Sequence, residues 1–305
     1  MGDEGLIAVT GASGYIGQAF TAVAEARGYQ ILKLGRRPGF TSWTLDAENL
    51  TLPAQPLRAV VHLAHDWTDL RESPENRNIR GTRRLFEAVR AHSPGAVIVL
   101  ASSVSARVAG GNVYGRIKAA QEAACHDFGG ISARIGLVFG GKPQGQMKTL
   151  TQIAQCPILL VPGGHILVQP IHVSDVAEVL FYFVRNGQRW SGTYVAAGEP
   201  VRLLTLLEFL ATAFRRHPIV SLSLPLLPIR LVLALATRMN ILHQLRERVE
   251  GLAATSTFWP AGPSAGSGKL GEPPVDLRWA AQKRHWCNDN LANVQHERQR
   301  ADCKS

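Results

Sequence analysis

One short stretch of the chain holds residue types that could carry proton and carbonyl chemistry. Ser102, Ser103 and Ser105 lie in the segment ASSVSA, and Tyr114 follows eleven residues after Ser103, with Lys118 four positions further on. On a helix, an i to i+4 spacing sets the tyrosine and the lysine on one face. A free tyrosine ionises with a pKa of about 10, too high for a good base at neutral pH. A neighbouring ammonium favours the phenolate and can also hold the ribose hydroxyls of a nicotinamide nucleotide. A serine hydroxyl can polarise a reacting carbonyl or orient an alcohol. The trio therefore suits proton exchange coupled to hydride transfer, with Tyr114 handling the proton. Ser103 is favoured among the serines by its distance from the end of the preceding apolar run; Ser102 and Ser105 stay open as alternatives.

A second constellation lies near the start of the chain. The run VTGASGYIG supplies Gly11, Gly14 and Gly17 directly after an apolar stretch. Glycine at that spacing permits a tight turn and close backbone approach to a pyrophosphate, and a helix opening there points its positive end at the phosphates. The expected cradle is the backbone of Gly11, Ser13, Gly14, Tyr15, Ile16 and Gly17. It has the right context, a strand before and a helix after. An acidic residue at the end of the next strand would accept from the ribose 2′-hydroxyl of NAD. Here Gly35 is followed by Arg36 and Arg37, and paired guanidinium groups suit a 2′-phosphate. NADP is accordingly preferred, with NAD the second choice.

These side chains need elements to hold them. Residues 6–10 read as a buried strand, 15–27 as a helix closed by Gly28, and 29–34 as a second strand, one compact strand–turn–helix–strand unit. The alternation continues with strands over 59–63 and 96–100 and helices over 74–90 and 112–126. One more strand is expected over 131–139. Strands alternating with helices predict an α/β fold, a Rossmann-type doubly wound parallel sheet with helices on both faces and a smaller C-terminal substrate domain. The expected division is 1–165 for the nucleotide-binding domain carrying the Ser/Tyr/Lys set, 166–282 for the smaller region, and 283–305 for a polar tail. In the second half, Asp175 with Glu178 and Thr205 with Glu208 offer helix-capping boxes. The apolar run 220–236 contains two prolines and Arg230 and is shorter than the roughly 20 residues of a membrane span. It reads as a turn followed by a packed helix over 229–239, with no stable membrane insertion. Residues 259–274 read as a loop.

The chain has 305 residues, 33 Lys and Arg against 23 Asp and Glu, and a formal net charge of +10. Such a balance favours acidic partners, including phosphorylated substrates. Arginines 71, 77, 80, 83, 84 and 90 crowd one helix and its approach; they read as a solvated face, and no aromatic-rich nucleic-acid motif accompanies them. No specific nucleic acid is expected. The four cysteines form no CxxC pair and have no histidine at ligand spacing, so no metal is expected and the thiols read as reduced. With no basic start and no long apolar run at the N-terminus, a cytoplasmic location is expected.

The order of these motifs resembles the short-chain dehydrogenase/reductase superfamily and, more narrowly, its extended branch, the NAD-dependent epimerase/dehydratase family. The resemblance covers roughly residues 6–183. It implies that Tyr114 and Lys118 also touch the cofactor, that Asp46 contacts the adenine, and that Leu63 and Ala64 line the cofactor in a segment similar to H-L-A-A. His65 stands where that segment usually has alanine and reads as a loop histidine. Asn78 with Gly81 and Thr82 is similar to the N-x-x-G-T helix, residues 133–136 to the segment flanking the nicotinamide, and residues 169–177 to the H-V-D-D-V-A signature. Within that signature His172 reads as a structural hydrogen-bonding group. Two departures matter. The interval from Ser103 to Tyr114 is short, and the acid pair that four-six dehydratases carry beside the serine is absent, with Val104 and Ser105 there instead. Reduction or epimerisation is thus expected ahead of dehydration. The resemblance implies an NAD(P)-dependent oxidoreductase or epimerase acting on a hydroxyl or keto group, with a nucleotide sugar as the expected substrate. Two alternatives are a reductase of an apolar small-molecule ketone and a non-catalytic NADP-binding regulatory or assembly protein. Small residues Ala119, Ala120, Ala123 and Ala124 on the tyrosine helix suit close packing in a homodimer.

Overall fold

A computed structural model describes residues 5–106, 112–141, 145–156, 158–162, 165–214 and 220–224. The chain first lays down strand β1 (Leu6–Thr10), helix α1 (Tyr15–Glu25), β2 (Gln30–Gly35), the short β3 (Thr41–Ser42) and β4 (Leu57–His62). Helix α2 (Arg77–His92), β5 (Val97–Ser103), α3 (Val113–Asp127) and β6 (Ile131–Ile135) follow. β1 is buried along its whole length, as a strand covered on both faces must be. Asn76 caps α2 by accepting from the Asn78 N–H at 2.8 Å, and Asn112 caps α3 by accepting from the Gly115 N–H at 2.9 Å. Both satisfy donors that a helix start leaves without partners.

The expected strand over 131–139 is two strands. β6 ends at Ile135, and β7 (Leu137–Phe139) belongs to a different sheet. The break falls at Gly136, where a Cβ would collide with the Gln169 carbonyl oxygen, and the next amide, Leu137, donates to that oxygen at 2.8 Å. The chain continues through α4 (Gly145–Ala154), β8 (Ile158–Pro162), β9 (Leu167–Val168) and β10 (Pro170–His172). It then forms α5 (Val173–Asn186), β11 (Gly192–Ala196), β12 (Val201–Arg202), α6 (Leu203–Phe214) and β13 (Val220–Leu224).

Two compact units result, and they are not cut once at residue 165. Among the described residues, the first joins the chain up to Ile135 with Val173–Ala196, and the second holds Gly136–His172 and the chain from Ala197 on. Residues 173–196 return because α5 buries Val176, Ala177, Leu180 and Phe181 and packs on α1. Tyr29 meets Phe181 edge to face at 5.4 Å, Arg27 lies over the Phe181 ring, and Arg27 pairs with Glu178 at 2.9 Å. The first unit is a seven-stranded, all-parallel sheet in the order β11-β6-β5-β4-β1-β2-β3. From β1 the order runs one way through β2 and β3, and from β4 the other way, so the topological switch lies between β1 and β4. This is the doubly wound Rossmann-type arrangement, whose ligand crevice opens at the carboxyl ends of the strands flanking the switch. α2 packs with α3 over a core of Leu34, Leu57, Val60, Phe86, Val89 and Leu100.

In the second unit, β10 pairs with β7 and β13 with β8 in parallel, while β12 pairs with β9 antiparallel. α4 and α6 enclose a core including Phe139, Met147, Leu150, Leu206 and Leu210. Residues 220–224 are a strand rather than the expected turn; the helix expected over 229–239, the loop over 259–274 and the tail lie outside the described residues. Both expected caps shift as well. α5 starts at Val173 and α6 at Leu203, so Asp175 and Thr205 sit inside first turns. Asp175 there complements the positive end of the helix. No helix among the described residues is long and apolar enough to cross a membrane.

Candidate active site

The turn after β1 is shaped by what its glycines lack. Gly11 has φ +66°, in the left-handed region, and a Cβ on it would press on the Ala64 amide at 2.9 Å. A Cβ on Gly17 would overlap the Gly11 carbonyl oxygen, so α1 can start this close to the turn only without one. Gly14 is the N-cap and brings no capping side chain to the positive end of α1, the end of a helix that favours an anion. Ser13, Tyr15 and Ile16 lie within this turn and the start of α1. Arg36 and Arg37 are exposed just past the end of β2, and neither side chain forms an ion pair among the described residues. Asp46 is placed differently: its carboxylate pairs with Arg77 and Arg80, each at 3.3 Å.

Below the crevice runs a buried polar chain that sequence reading missed. Thr82 donates to the Asn78 carbonyl at 2.6 Å, so its oxygen accepts from Gln121 at 2.6 Å and from His62 Nε2 at 2.9 Å. His62 Nδ1 is then the acceptor for the Thr10 hydroxyl at 2.7 Å, and Thr10 Oγ1 accepts from the Leu63 and Ala64 amides at 3.1 and 3.2 Å. The chain fixes a neutral imidazole. Burial, with the Lys118 charge nearby, lowers its pKa to about 3. Its effect is to tie the turn after β1 to the segment Leu63–Ala64 at the switch point.

Ser103, Tyr114 and Lys118 come together at the end of β5. Tyr114 is hydrogen-bonded to Ser103, whose hydroxyl also meets Ser105 Oγ at 2.9 Å. Lys118 Nζ donates to the Ala101 carbonyl at 3.0 Å and lies 6.0 Å from the Tyr114 ring centre. Gly115 lets the first turn of α3 sit directly on the Ser105 carbonyl, bringing Tyr114 to the strand end. Ser102 points elsewhere. It donates to Glu122 Oε1 at 2.5 Å, and Glu122 takes both arms of Arg134 at 2.8 and 2.7 Å. Burial pushes Tyr114 up to about 12, against the Ser103 hydrogen bond, and lowers Lys118 to about 8, against the Glu122 charge. In this state burial outweighs the lysine's expected help to the phenolate. With proton donor, hydroxyl and ammonium in one cluster, the arrangement can exchange a proton with an alcohol or carbonyl oxygen.

The loop after β4 adds Trp67, which the sequence did not mark, and gives His65, expected only as a loop histidine, a place against the tyrosine. Trp67 stacks on Tyr114 at 4.8 Å and 19°, and His65 stands edge-on to both rings, 5.1 Å from Tyr114 and 4.7 Å from Trp67. His172, by contrast, packs its ring on Phe139 at 5.3 Å within the second unit. The arginines of α2 and its approach are largely neutralised: Arg71 pairs with Asp69, Arg77 with Asp66 and Asp46, Arg80 with Glu75, and Arg83 with Asp127. Among the described residues no group of His, Cys, Asp and Glu could hold a metal ion.

A doubly wound sheet with a glycine turn after β1 and a serine, tyrosine and lysine at the end of β5 defines the short-chain dehydrogenase/reductase class of NAD(P)-dependent enzymes. The chain belongs to the NAD dependent epimerase/dehydratase family, which it matches over residues 7–197. Among curated proteins none matches. Similar solved structures include gox2253, with a TM-score of 0.63 at 22% identity over 83% of this chain and 88% of that one. The UDP-N-acetylglucosamine 4-epimerase of Bacillus cereus has a TM-score of 0.57 at 20% identity, covering 72% and 85%. The human epimerase family protein SDR39U1 (isoform 2), solved with NADPH, has a TM-score of 0.60 at 19% identity, covering 85% and 96%.

Proposed function

We propose that the chain oxidises or reduces, or epimerises through a keto intermediate, one carbinol carbon of a nucleotide sugar, with NADP as the preferred cofactor. The observation that carries this reading is the Ser103–Tyr114–Lys118 cluster at the carboxyl end of β5. The cofactor site fits: the missing Cβ atoms at Gly11 and Gly17 let the turn after β1 close against Ala64 and the start of α1, and Gly14 caps α1 without a side chain. Gly11, Ser13, Gly14, Tyr15, Ile16 and Gly17 would hold the pyrophosphate, Leu63 and Ala64 would line the site, and Arg36 and Arg37 would meet the 2′-phosphate. Asp46, engaged by two arginines, would reach the adenine only by sharing those pairs. When bound, the nicotinamide supplies the acceptor or source of hydride.

The side chains of this protein do the rest. Ser103 donates to or accepts from the reacting oxygen and fixes its direction. Tyr114 transfers a proton at its hydroxyl, and Lys118 supplies the nearby positive charge that eases that transfer. The net charge of +10 favours a diphosphate-bearing substrate, and the name of the Bacillus cereus neighbour supports the sugar class. Ala120 and Ala123, outside the core on α3, would suit pairing with a second copy.

Equilibrium binding of NADPH and NADH, followed by turnover of UDP-glucose and UDP-N-acetylglucosamine, tests the reading. NADPH binding ahead of NADH is expected, and Tyr114→Phe is expected to lower kcat by about 10²–10⁴-fold while leaving NADPH binding intact. Loss of neither binding nor turnover in Tyr114→Phe would remove the tyrosine from the chemistry. Failure of both nucleotides to bind would remove the enzyme reading.

A further inference from the structure

Trp67 is the most exposed large apolar side chain among the described residues, at 65%, yet the backbone that carries it is pinned on both sides. The Asp66 amide donates to Asn78 Oδ1 at 2.7 Å, and Asn78 Nδ2 donates to the Asp66 carbonyl at 3.0 Å. The Asp66 carboxylate accepts from the Thr68 amide and hydroxyl, at 2.8 and 2.6 Å, and from Arg77 at 3.1 Å. Further along the loop, Glu72 pairs with Arg116 of α3, two residues from Tyr114. So the indole is held by its flanks, not by a core around it, and what it covers is the face of Tyr114.

His65 completes the enclosure. It is half-buried, and its Nδ1 is buried without a hydrogen-bond partner. Burial lowers its pKa to about 2, with Lys118 and His62 adding to the effect and Asp66 opposing it. The ring is therefore a neutral wall at working pH and does not compete with Tyr114 for a proton. We propose that His65 and Trp67 are positioning residues for Tyr114: the loop after β4 clamps the phenol between an imidazole edge and an indole face, fixing its hydroxyl and keeping bulk water from it. Aromatic pairs favour this combination of stacked and edge-on contacts. The inference rests on the reading of Tyr114 as proton carrier.

The test needs neither substrate nor turnover. Tetranitromethane nitrates the phenolate form of tyrosine, and peptide mass spectrometry of the full chain reads the yield at Tyr114 as pH is raised. The groups that set this profile are His65 and Asp66 from the loop, His62 from β4, and Lys118 and Glu122 from α3, with Ser103 from β5. Burial holds Tyr114 to about 12, so nitration of the wild-type protein is expected only at high pH. In Trp67→Ala the profile moves to lower pH, and the rate near pH 8 rises by about tenfold or more, one pH unit being tenfold in phenolate. Trp67→Phe, which keeps a flat face, restores protection, and His65→Ala gives a smaller rise. Circular dichroism stays unchanged, since Trp67 is exposed. A profile identical in wild type and Trp67→Ala would overturn the clamp, as would Trp67→Phe nitrated as fast as Trp67→Ala. Absence of NADPH binding would remove the oxidoreductase reading but leave the nitration result standing.

Discussion

The two loops flanking the switch point, after β1 and after β4, leave the same edge of one sheet and are held in opposite ways. The first is held by what is missing: no Cβ at Gly11 or Gly17 and no capping side chain at Gly14. The second is held by side chains, with Asn76, Asn78, Asp66 and Asp69 binding backbone and arginines along its length. Bare backbone gives a charged ligand direct access to amides. A braced loop can present one aromatic ring at a fixed place in solvent. Rigidity at a site therefore does not require one kind of sequence.

Three substitutions and a change of pH separate the two loops. Gly17→Val strikes the first loop hardest, because its side chain must overlap Gly11. Loss of NADPH binding is expected, with destabilisation of about 3 kcal/mol from overpacking, read by titration and by urea denaturation. Asn78→Ala strikes the second loop. It strips partners from both polar backbone groups of Asp66, at a cost of about 2 kcal/mol, with NADPH binding weakened much less than in Gly17→Val.

Acid comes next, and it acts at the end of β4 and in the loop that follows. His62 and His65 titrate near 3 and 2 in the folded chain against an ordinary 6.5, so the unfolded chain binds more protons below about pH 6.5. Stability is then fully present above that pH and falls as pH drops through the interval toward 3. The carboxylates of Asp66 and Glu72, held below their ordinary values by hydrogen bonds to Thr68 and to Arg116, add to the loss at the acid end. Urea midpoints at a series of pH values read the slope, and His65→Ala is expected to flatten it. The smallest effect is expected of Thr68→Ala, whose hydrogen bond to Asp66 is exposed; a change below about 1 kcal/mol should leave the fold intact and raise nitration at Tyr114 only slightly.

The first loop was legible in the sequence because its requirement is local: three glycines between an apolar run and a helix state both geometry and ligand. Tyr114 and Lys118 were legible for the same reason, sharing one helix face at four-residue spacing. Distance from the strand end favours Ser103 among its neighbours but leaves Ser102 and Ser105 open; the structure turns Ser102 toward Glu122 and sets Ser103 on the tyrosine. The clamp was hidden because its braces come from residues 12 positions away on another element, which no local period records. Equally hidden was the change of sheet at Gly136. Apolar residues run on through residues 131–139, and alternation cannot say which strand each will meet. The first unit's discontinuity was missed for a related reason, since capping patterns near Asp175 mark a helix without saying what it packs on.

That discontinuity has a consequence for synthesis. The outermost strand of the first sheet, β11, ends at Ala196, so for the time the ribosome takes to add some sixty residues beyond β6, that edge has no neighbour and α1 has no α5 against it. Unpaired edges and bare apolar helix faces are where nascent chains stick to one another. A nascent chain halted near residue 165 should need a chaperone, and release from that dependence should follow emergence of β11 rather than completion of the Ser103–Tyr114–Lys118 segment.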